Sequence, residues 1–241
     1  MKKLVQNDLY DYKNRYIFQY EKCFKFSIDS ILLAEFVEKL TDSKNVLDLC
    51  TGNAAVPLIL TTKKKCNIDC IEIQQSIYEL AKKSIEYNKL SDLITVYNID
   101  ANDLEKFVGD KKYDIITCNP PYFKVDETSY VNEIEELMIA RHEVKITLDD
   151  VFKIASEHLD DKGELYLVHQ TSRLDEIIYL GFKYNLRVKR IQLIKSTEIK
   201  KPSIVLIKAV KGSKNGLIIN DIKCIDKYKT YQGMFKEDVW N

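Results

Sequence analysis

Asp48-Leu49-Cys50-Thr51-Gly52-Asn53-Ala54 is the stretch that decides the fold. It continues the short apolar run Asn45-Val46-Leu47 and leads into Ala54 to Thr62, which reads as a helix. Pro57 is compatible with that helix only near its first turn, where its missing N–H has no intrahelical duty. A buried strand that passes through a glycine turn straight into a helix is the ligand-binding joint of doubly wound α/β folds. Gly52 lets the backbone turn tightly and come close to a ligand. Dinucleotide folds usually show three glycines here, so a diphosphate is a weak fit. No GxxxxGK[ST] sequence occurs, which removes a P-loop.

Outward from this joint, short strands alternate with helices. Ile28 to Leu40 has helical periodicity, with Ile31, Leu32, Ala34, Phe36 and Val37 on its apolar side. Ile68 to Ile73 reads as a strand, Gln75 to Tyr87 as a helix, Leu93 to Tyr97 and Tyr113 to Cys118 as strands, and Leu148 to His158 as a helix. Glu164 to His169, Val188 to Leu193 and Ser203 to Val210 are the later strands, with a helix from Arg173 to Leu180 that Gly181 should end. Such alternation argues for a mostly parallel sheet covered on both faces. The last two strands lack a long connecting helix and read as an antiparallel hairpin joined by Lys195 to Pro202. The expected organisation is one domain over residues 1–241. It comprises a basic, aromatic extension at 1–27, a catalytic core at 28–211, and a tail at 212–241 packed on that core.

Composition places the chain among soluble globular proteins, with 241 residues, 45% of them apolar and 31% charged. No apolar run is long enough to cross a membrane, and the N-terminus lacks the apolar centre of a secretion signal. Six cysteines without a CxxC, and only three histidines, support neither a disulfide framework nor a zinc site. Reduced thiols in a cytoplasmic protein are the expectation. The adjacent spacing of Arg141-His142-Glu143 sends its side chains to different faces of any helix, unlike HExxH. No metal is therefore expected, and His158 and His169 read as scaffold. No feature fixes an oligomeric state, and a monomer is the working expectation.

The 37 basic and 37 acidic side chains cancel overall, but not locally. Residues 185–215 carry Arg187, Lys189, Arg190, Lys195, Lys200, Lys201, Lys208, Lys211 and Lys214 against Glu198 alone. A neutral chain with one basic face is able to bind nucleic acid.

Asn119-Pro120-Pro121-Tyr122 ends the strand Tyr113 to Cys118. The Asn119 side-chain carbonyl and the Pro120 backbone carbonyl both accept hydrogen bonds and suit a planar NH2 group. The prolines restrict the backbone that carries them, and Tyr122 offers a face for stacking. At the ends of earlier strands lie Glu72, suited to the two hydroxyls of a ribose, and Asp100, suited to accept from an adenine NH2. Each acid alone would pass for a loop or cap residue. Their succession on consecutive strand ends, followed by Asn119-Pro120-Pro121-Tyr122, is harder to obtain by accident.

These motifs resemble the class I S-adenosylmethionine-dependent methyltransferases. Phe26 to Leu33, Asn119 to Phe123, Ala140-Arg141-His142-Glu143, Ser172-Arg173-Leu174 and Lys201-Pro202-Ser203 are similar, more narrowly, to the bacterial tRNA1(Val) adenine-N6 methyltransferase family. That resemblance covers roughly residues 5–235. It implies a Rossmann-like fold with a mostly parallel seven-stranded sheet and an antiparallel C-terminal hairpin. It also implies S-adenosylmethionine as cofactor and, as substrate, the adenosine just 3′ of the anticodon of valine tRNA. By position, Asp48, Cys50 and the backbone at Gly52 would hold the methionine end of the cofactor. Glu72 would take the ribose, Asp100 and Ala101 the adenine, and Asp29 would close over it. Asn119, Pro120 and Tyr122 would act in catalysis. Pro121, Tyr122, Phe123, Arg141, Lys195, Lys200 and Lys201 would meet the RNA. Cys50 and Ala54 depart from the general glycine pattern of the class. The alternatives are a protein-glutamine N5-methyltransferase, an rRNA amino-methyltransferase, and a non-catalytic RNA-binding module on the same fold.

Overall fold

The computed structural model describes residues 3–9, 12, 14–21, 27–38, 40–42, 44–122 and 146–225. Seven strands make the body of one sheet: β3 (Asn45–Leu49), β4 (Asn67–Ile71), β5 (Ile94–Tyr97), β6 (Tyr113–Cys118), β7 (Leu159–Gln170), β8 (Leu186–Lys195) and β9 (Ile204–Lys211). Their order is β5-β4-β3-β6-β7-β9-β8. The first five are mutually parallel, and β9 runs antiparallel between β7 and β8. This is the Rossmann-like class I methyltransferase arrangement with its antiparallel end.

Side chains along each central strand alternate between two cores, as a sheet covered on both faces requires. Val46, Ile68, Ile115, Tyr166 and Val168 face one core. That core also takes in α1 (Ile28–Phe36) and α2 (Ala55–Lys63). Leu47, Leu49, Ile116, Leu165 and Leu167 face the other. It is closed by α5 (Leu148–His158) and α6 (Leu174–Lys183). The α5 start is sharply set, because the Thr147 hydroxyl and the Asp150 carboxylate cap each other's backbone N–H. α3 (Gln75–Tyr87) follows β4, and a short α4 (Glu105–Val108) follows β5.

Four features differ from the sequence expectation. Helix α1 stops at Phe36 instead of Leu40, with Val37 already extended. Val37 and Leu40 are buried beyond the helix end, so their apolar character imitates helical periodicity. Gly181 does not end α6, which runs on to Lys183. It lies where the helix comes closest to β8, and a Cβ there would stand 2.7 Å from the Leu186 carbonyl oxygen. The sheet also gains two very short strands, β10 (Ile218–Ile219) and β11 (Lys223–Cys224), both parallel to β8. The N-terminal segment, finally, is an antiparallel hairpin of β1 (Leu4–Asp8) and β2 (Tyr16–Tyr20). It is fastened to α3 by the Ser84 hydroxyl, which accepts from Phe18 N–H, and by Asn88, which bonds Tyr16 N–H and carbonyl. Residues 226–241 of the expected tail lie outside the described residues.

The order reverses between β3 and β6: the chain winds outward through β4 and β5, then returns to the far side of β3. The carboxyl ends of those two strands therefore diverge and leave a crevice. Gly52 follows β3 and Asn119 follows β6, so the two motifs flank that crevice. Replacing Gly181 by Ala should destabilise the fold by about 1–2 kcal/mol, because overpacking against a backbone oxygen outweighs the gain in helix propensity. Urea unfolding checks this, and a more stable variant would contradict the packing at that position.

Candidate active site

The turn after β3 is left-handed at Cys50 (φ 56°), Gly52 (φ 59°) and Ala54 (φ 71°). Only glycine adopts this freely, so Cys50 and Ala54 hold the glycine-type path without glycine, at a cost of about 1 kcal/mol or more each. Hydrogen bonds fix the path. Thr51 N–H donates to the Ile71 carbonyl, and Gly52 N–H donates to Glu72 Oε2 at 3.0 Å. Glu72 Oε1 accepts from Gln74 N–H at 2.9 Å. One carboxylate thus braces the loops after both β3 and β4. Burial raises Glu72 to about 6 against the pull of these N–H groups.

Asp48 is 1% exposed. Its two oxygens accept the hydroxyls of Thr51 and Thr117, which ties the β3 turn to β6. Burial raises its pKa to about 7, with the two threonine hydroxyls opposing. Neither threonine signals this role in the sequence: Thr117 looks like ordinary β-propensity in a strand, and Thr51 like an ordinary turn residue. Asn98 is equally inconspicuous. Its side-chain amide donates to the carbonyls of Glu72 and Ile73 and so holds the β5 end against the β4 end.

A pocket opens along these strand ends. Its walls include Cys50, Gly52, Glu72, Asp100, Ala101, Asn119 and Pro121, with apolar sides from Ile71, Ile99 and Ile146. Asp100 Oδ1 accepts from Asn102 N–H at 2.9 Å, a turn-capping bond that leaves Oδ2 to a ligand. The wall thus combines two carboxylates, which can accept from hydroxyl and amine groups, with isoleucines that can pack on an apolar or aromatic group. Asp48 and Asp29 are not part of this wall.

Asn119 and Tyr122 form a second cluster beside the pocket. Asn119 Nδ2 donates to Ser30 Oγ at 3.0 Å. The Tyr122 hydroxyl lies 2.7 Å from Asp29 Oδ2 and 2.9 Å from Asn119 Oδ1. Asp29 is buried, which raises its pKa to about 6. Burial also pushes the Tyr122 phenol well above its usual range, as does the neighbouring Asp29 carboxylate. The Tyr122 ring is tilted 47° on His169 at 5.1 Å between centroids. Burial holds His169 down at about 4, so it is neutral at pH 7.

The basic segment is less open than its sequence suggests. Lys208 is buried and pairs with Glu164 at 2.8 Å, Arg190 pairs with Glu38, and Lys195 pairs with Glu198 at 2.6 Å. Arg187 stacks on Phe182. Lys200 and Lys201 are exposed on the β8–β9 connection. That connection lies at the edge of the sheet where β6 ends, since β8 runs in the same direction as β7. The Thr171 hydroxyl after β7 donates to the Pro202 carbonyl and holds it there. Phe123 and Arg141 lie outside the described residues. Among the described residues, no acidic, histidine or cysteine cluster suits a metal ion, and no helix is long and apolar enough to cross a membrane.

Known proteins with this architecture agree. The chain is 27% identical over 208 residues to the tRNA1(Val) (adenine(37)-N6)-methyltransferase of Porphyromonas gingivalis, covering 84% of this chain and 80% of that protein. It is 29% identical over 173 residues to the enzyme of the same name from Histophilus somni, covering 68% and 69%. Among solved structures, a predicted O-methyltransferase of Agrobacterium tumefaciens superposes with a TM-score of 0.62 at 21% identity, over 82% of this chain and 87% of that one. A 16S rRNA methyltransferase of T. thermophilus gives 0.60 at 18% identity, over 87% of this chain and 50% of that one. Those two likenesses speak to the fold. A family profile, the methyltransferase small domain, matches residues 25–178, more than half of the sequence. The chain belongs to the methyltransferase small domain family.

Proposed function

We propose that this protein methylates the exocyclic N6 of an adenosine in tRNA, the one beside the anticodon of valine tRNA, with S-adenosylmethionine as donor. The observation that carries the reading is that Asn119 and Pro121 of the Asn119-Pro120-Pro121-Tyr122 motif line the same pocket as Glu72 and Asp100. The names of the relatives in Porphyromonas and Histophilus support the choice of substrate.

Glu72 would hold the cofactor ribose, Asp100 and Ala101 its adenine, and the backbone around Cys50 and Gly52 its methionine end. Asp48 would act behind that wall by fixing the turn. When bound, the cofactor supplies an electrophilic methyl group for in-line displacement. The adenine amine is a poor nucleophile because its lone pair is delocalised into the ring. Asn119 Oδ1 and the Pro120 carbonyl would each accept one amine hydrogen and favour a more tetrahedral nitrogen. Orientation and placed dipoles then supply most of the catalysis. Tyr122 would bear on the base, which must leave its stack to reach the rim. Lys200 and Lys201 would contact phosphates.

Three outcomes are expected. Asn119→Ala should lower kcat about 100-fold or more while changing cofactor affinity less than about threefold, and equal losses in both would contradict its role. Cofactor affinity measured by calorimetry should fall as pH drops through about 6. The sign follows from Glu72: the ribose hydroxyls favour its ionised form, which is lost below that pH. Glu72→Gln should weaken binding about tenfold and flatten this dependence. Replacing Lys200 and Lys201 by Gln should reduce the slope of log affinity for tRNA against log salt by about 1–2, and an unchanged slope would remove them from the RNA interface.

A further inference from the structure

The Tyr122 hydroxyl carries one proton and stands between two acceptors, Asp29 Oδ2 at 2.7 Å and Asn119 Oδ1 at 2.9 Å. Both Asp29 and Ser30 come from the first turn of α1, which reaches across to the end of β6. Asp29 is 6% exposed and Ser30 is 9% exposed, so water competes little for either. An ionised carboxylate accepts a hydrogen bond roughly twice as strongly as an amide carbonyl. The phenol proton therefore goes to Asp29 whenever that carboxylate is charged. Asn119 Oδ1 is then left facing a phenol lone pair, with no donor from Tyr122. Its other end is committed, because Nδ2 donates to Ser30 Oγ at 3.0 Å. With Nδ2 on Ser30, Oδ1 is the end of the amide that faces the phenol.

We propose that Asp29 and Ser30 are positioning residues for the amine: Ser30 fixes the orientation of the Asn119 amide, and Asp29 draws the Tyr122 proton away so that Oδ1 is open to a substrate N–H. The inference rests on the amine-gripping role of Asn119 proposed above. It gives α1 a part in the chemistry that its place on the sheet face does not suggest. It also explains why a carboxylate is buried here although the pocket wall does not include it. An acceptor whose donor is supplied only by the substrate is preorganised in the sense that catalysis requires. With a neutral amide at position 29 the phenol would lose its charged acceptor, Asn119 Oδ1 would compete for its proton as an equal, and the substrate amine would have to displace that bond.

Four proteins test this: wild type, Asp29→Asn, Tyr122→Phe and the double variant. Each is assayed for methyl transfer from S-adenosylmethionine to a panel of transcribed tRNAs that includes valine tRNA. Cofactor titration and thermal unfolding are run alongside. Asp29→Asn should lower kcat about tenfold with cofactor affinity changed less than about threefold, because a displaced hydrogen bond is worth about that much. In the Tyr122→Phe background the same change should cost less than about threefold, since no phenol proton remains to occupy Oδ1. Equal cost in both backgrounds, or a loss of cofactor affinity that matches the loss of turnover, overturns the proposal. Ser30→Ala reads the same clamp where Asp29→Asn fails to fold: reduced kcat at unchanged cofactor affinity supports it, and unchanged kcat overturns it. Asn119→Ala distinguishes this failure from that of the underlying reading. If that variant keeps wild-type turnover, the amine grip itself is wrong. If it is inactive while Asp29→Asn costs the same with and without the phenol, only the clamp is wrong.

Discussion

The buried Asp48 carboxylate, shared between Thr51 of the β3 turn and Thr117 of β6, is the interaction on which the site depends. β3 and β6 are the pair at which the sheet reverses its winding, so their ends are free to diverge. Asp48 limits that divergence. It holds the turn that shapes the pocket against the strand that carries Asn119. Glu72 repeats the device one strand over, with N–H donors from Gly52 and Gln74. Both acids give up hydration for these bonds, and burial raises both pKa values. The gain is that the pocket wall and the strand end that carries Asn119 share one hydrogen-bonded frame.

Much of this was legible in the sequence because local patterns and the global fold agree. The span of α3 matches its periodicity, and α5 covers the Leu148 to His158 stretch read as a helix. The central strands announce themselves as short, mostly apolar stretches, as a sheet covered on both faces favours. Where reading failed, the cause was tertiary. Gly181 looked like a helix stop, but its missing side chain serves the approach of α6 to β8. The pairs β10 and β11 are two residues each, too short to leave a period. The N-terminal hairpin is held by Ser84 and Asn88 from a distant helix, and nothing in residues 1–27 reports those partners.

The site shows the same division. Glu72, Asp100, Ala101 and Asn119 stood out because each follows an apolar run, and all four lie on the pocket wall. Thr51, Thr117, Asn98 and Ser30 did not, since a residue that supports another carries no pattern of its own. The basic segment was misjudged in the opposite sense. Part of its positive charge is answered by Glu38 and Glu164, far away in sequence: Arg190 pairs with Glu38, and Lys208 with both. Lys200 and Lys201 are exposed on the same sheet edge as the pocket rim.

The most direct test of this account is nucleoside mass spectrometry of individual tRNAs after incubation with the protein and S-adenosylmethionine. The account predicts N6-methyladenosine in valine tRNA, one residue 3′ of the anticodon. Methylated guanosine, or methyl label recovered only on protein, would contradict it.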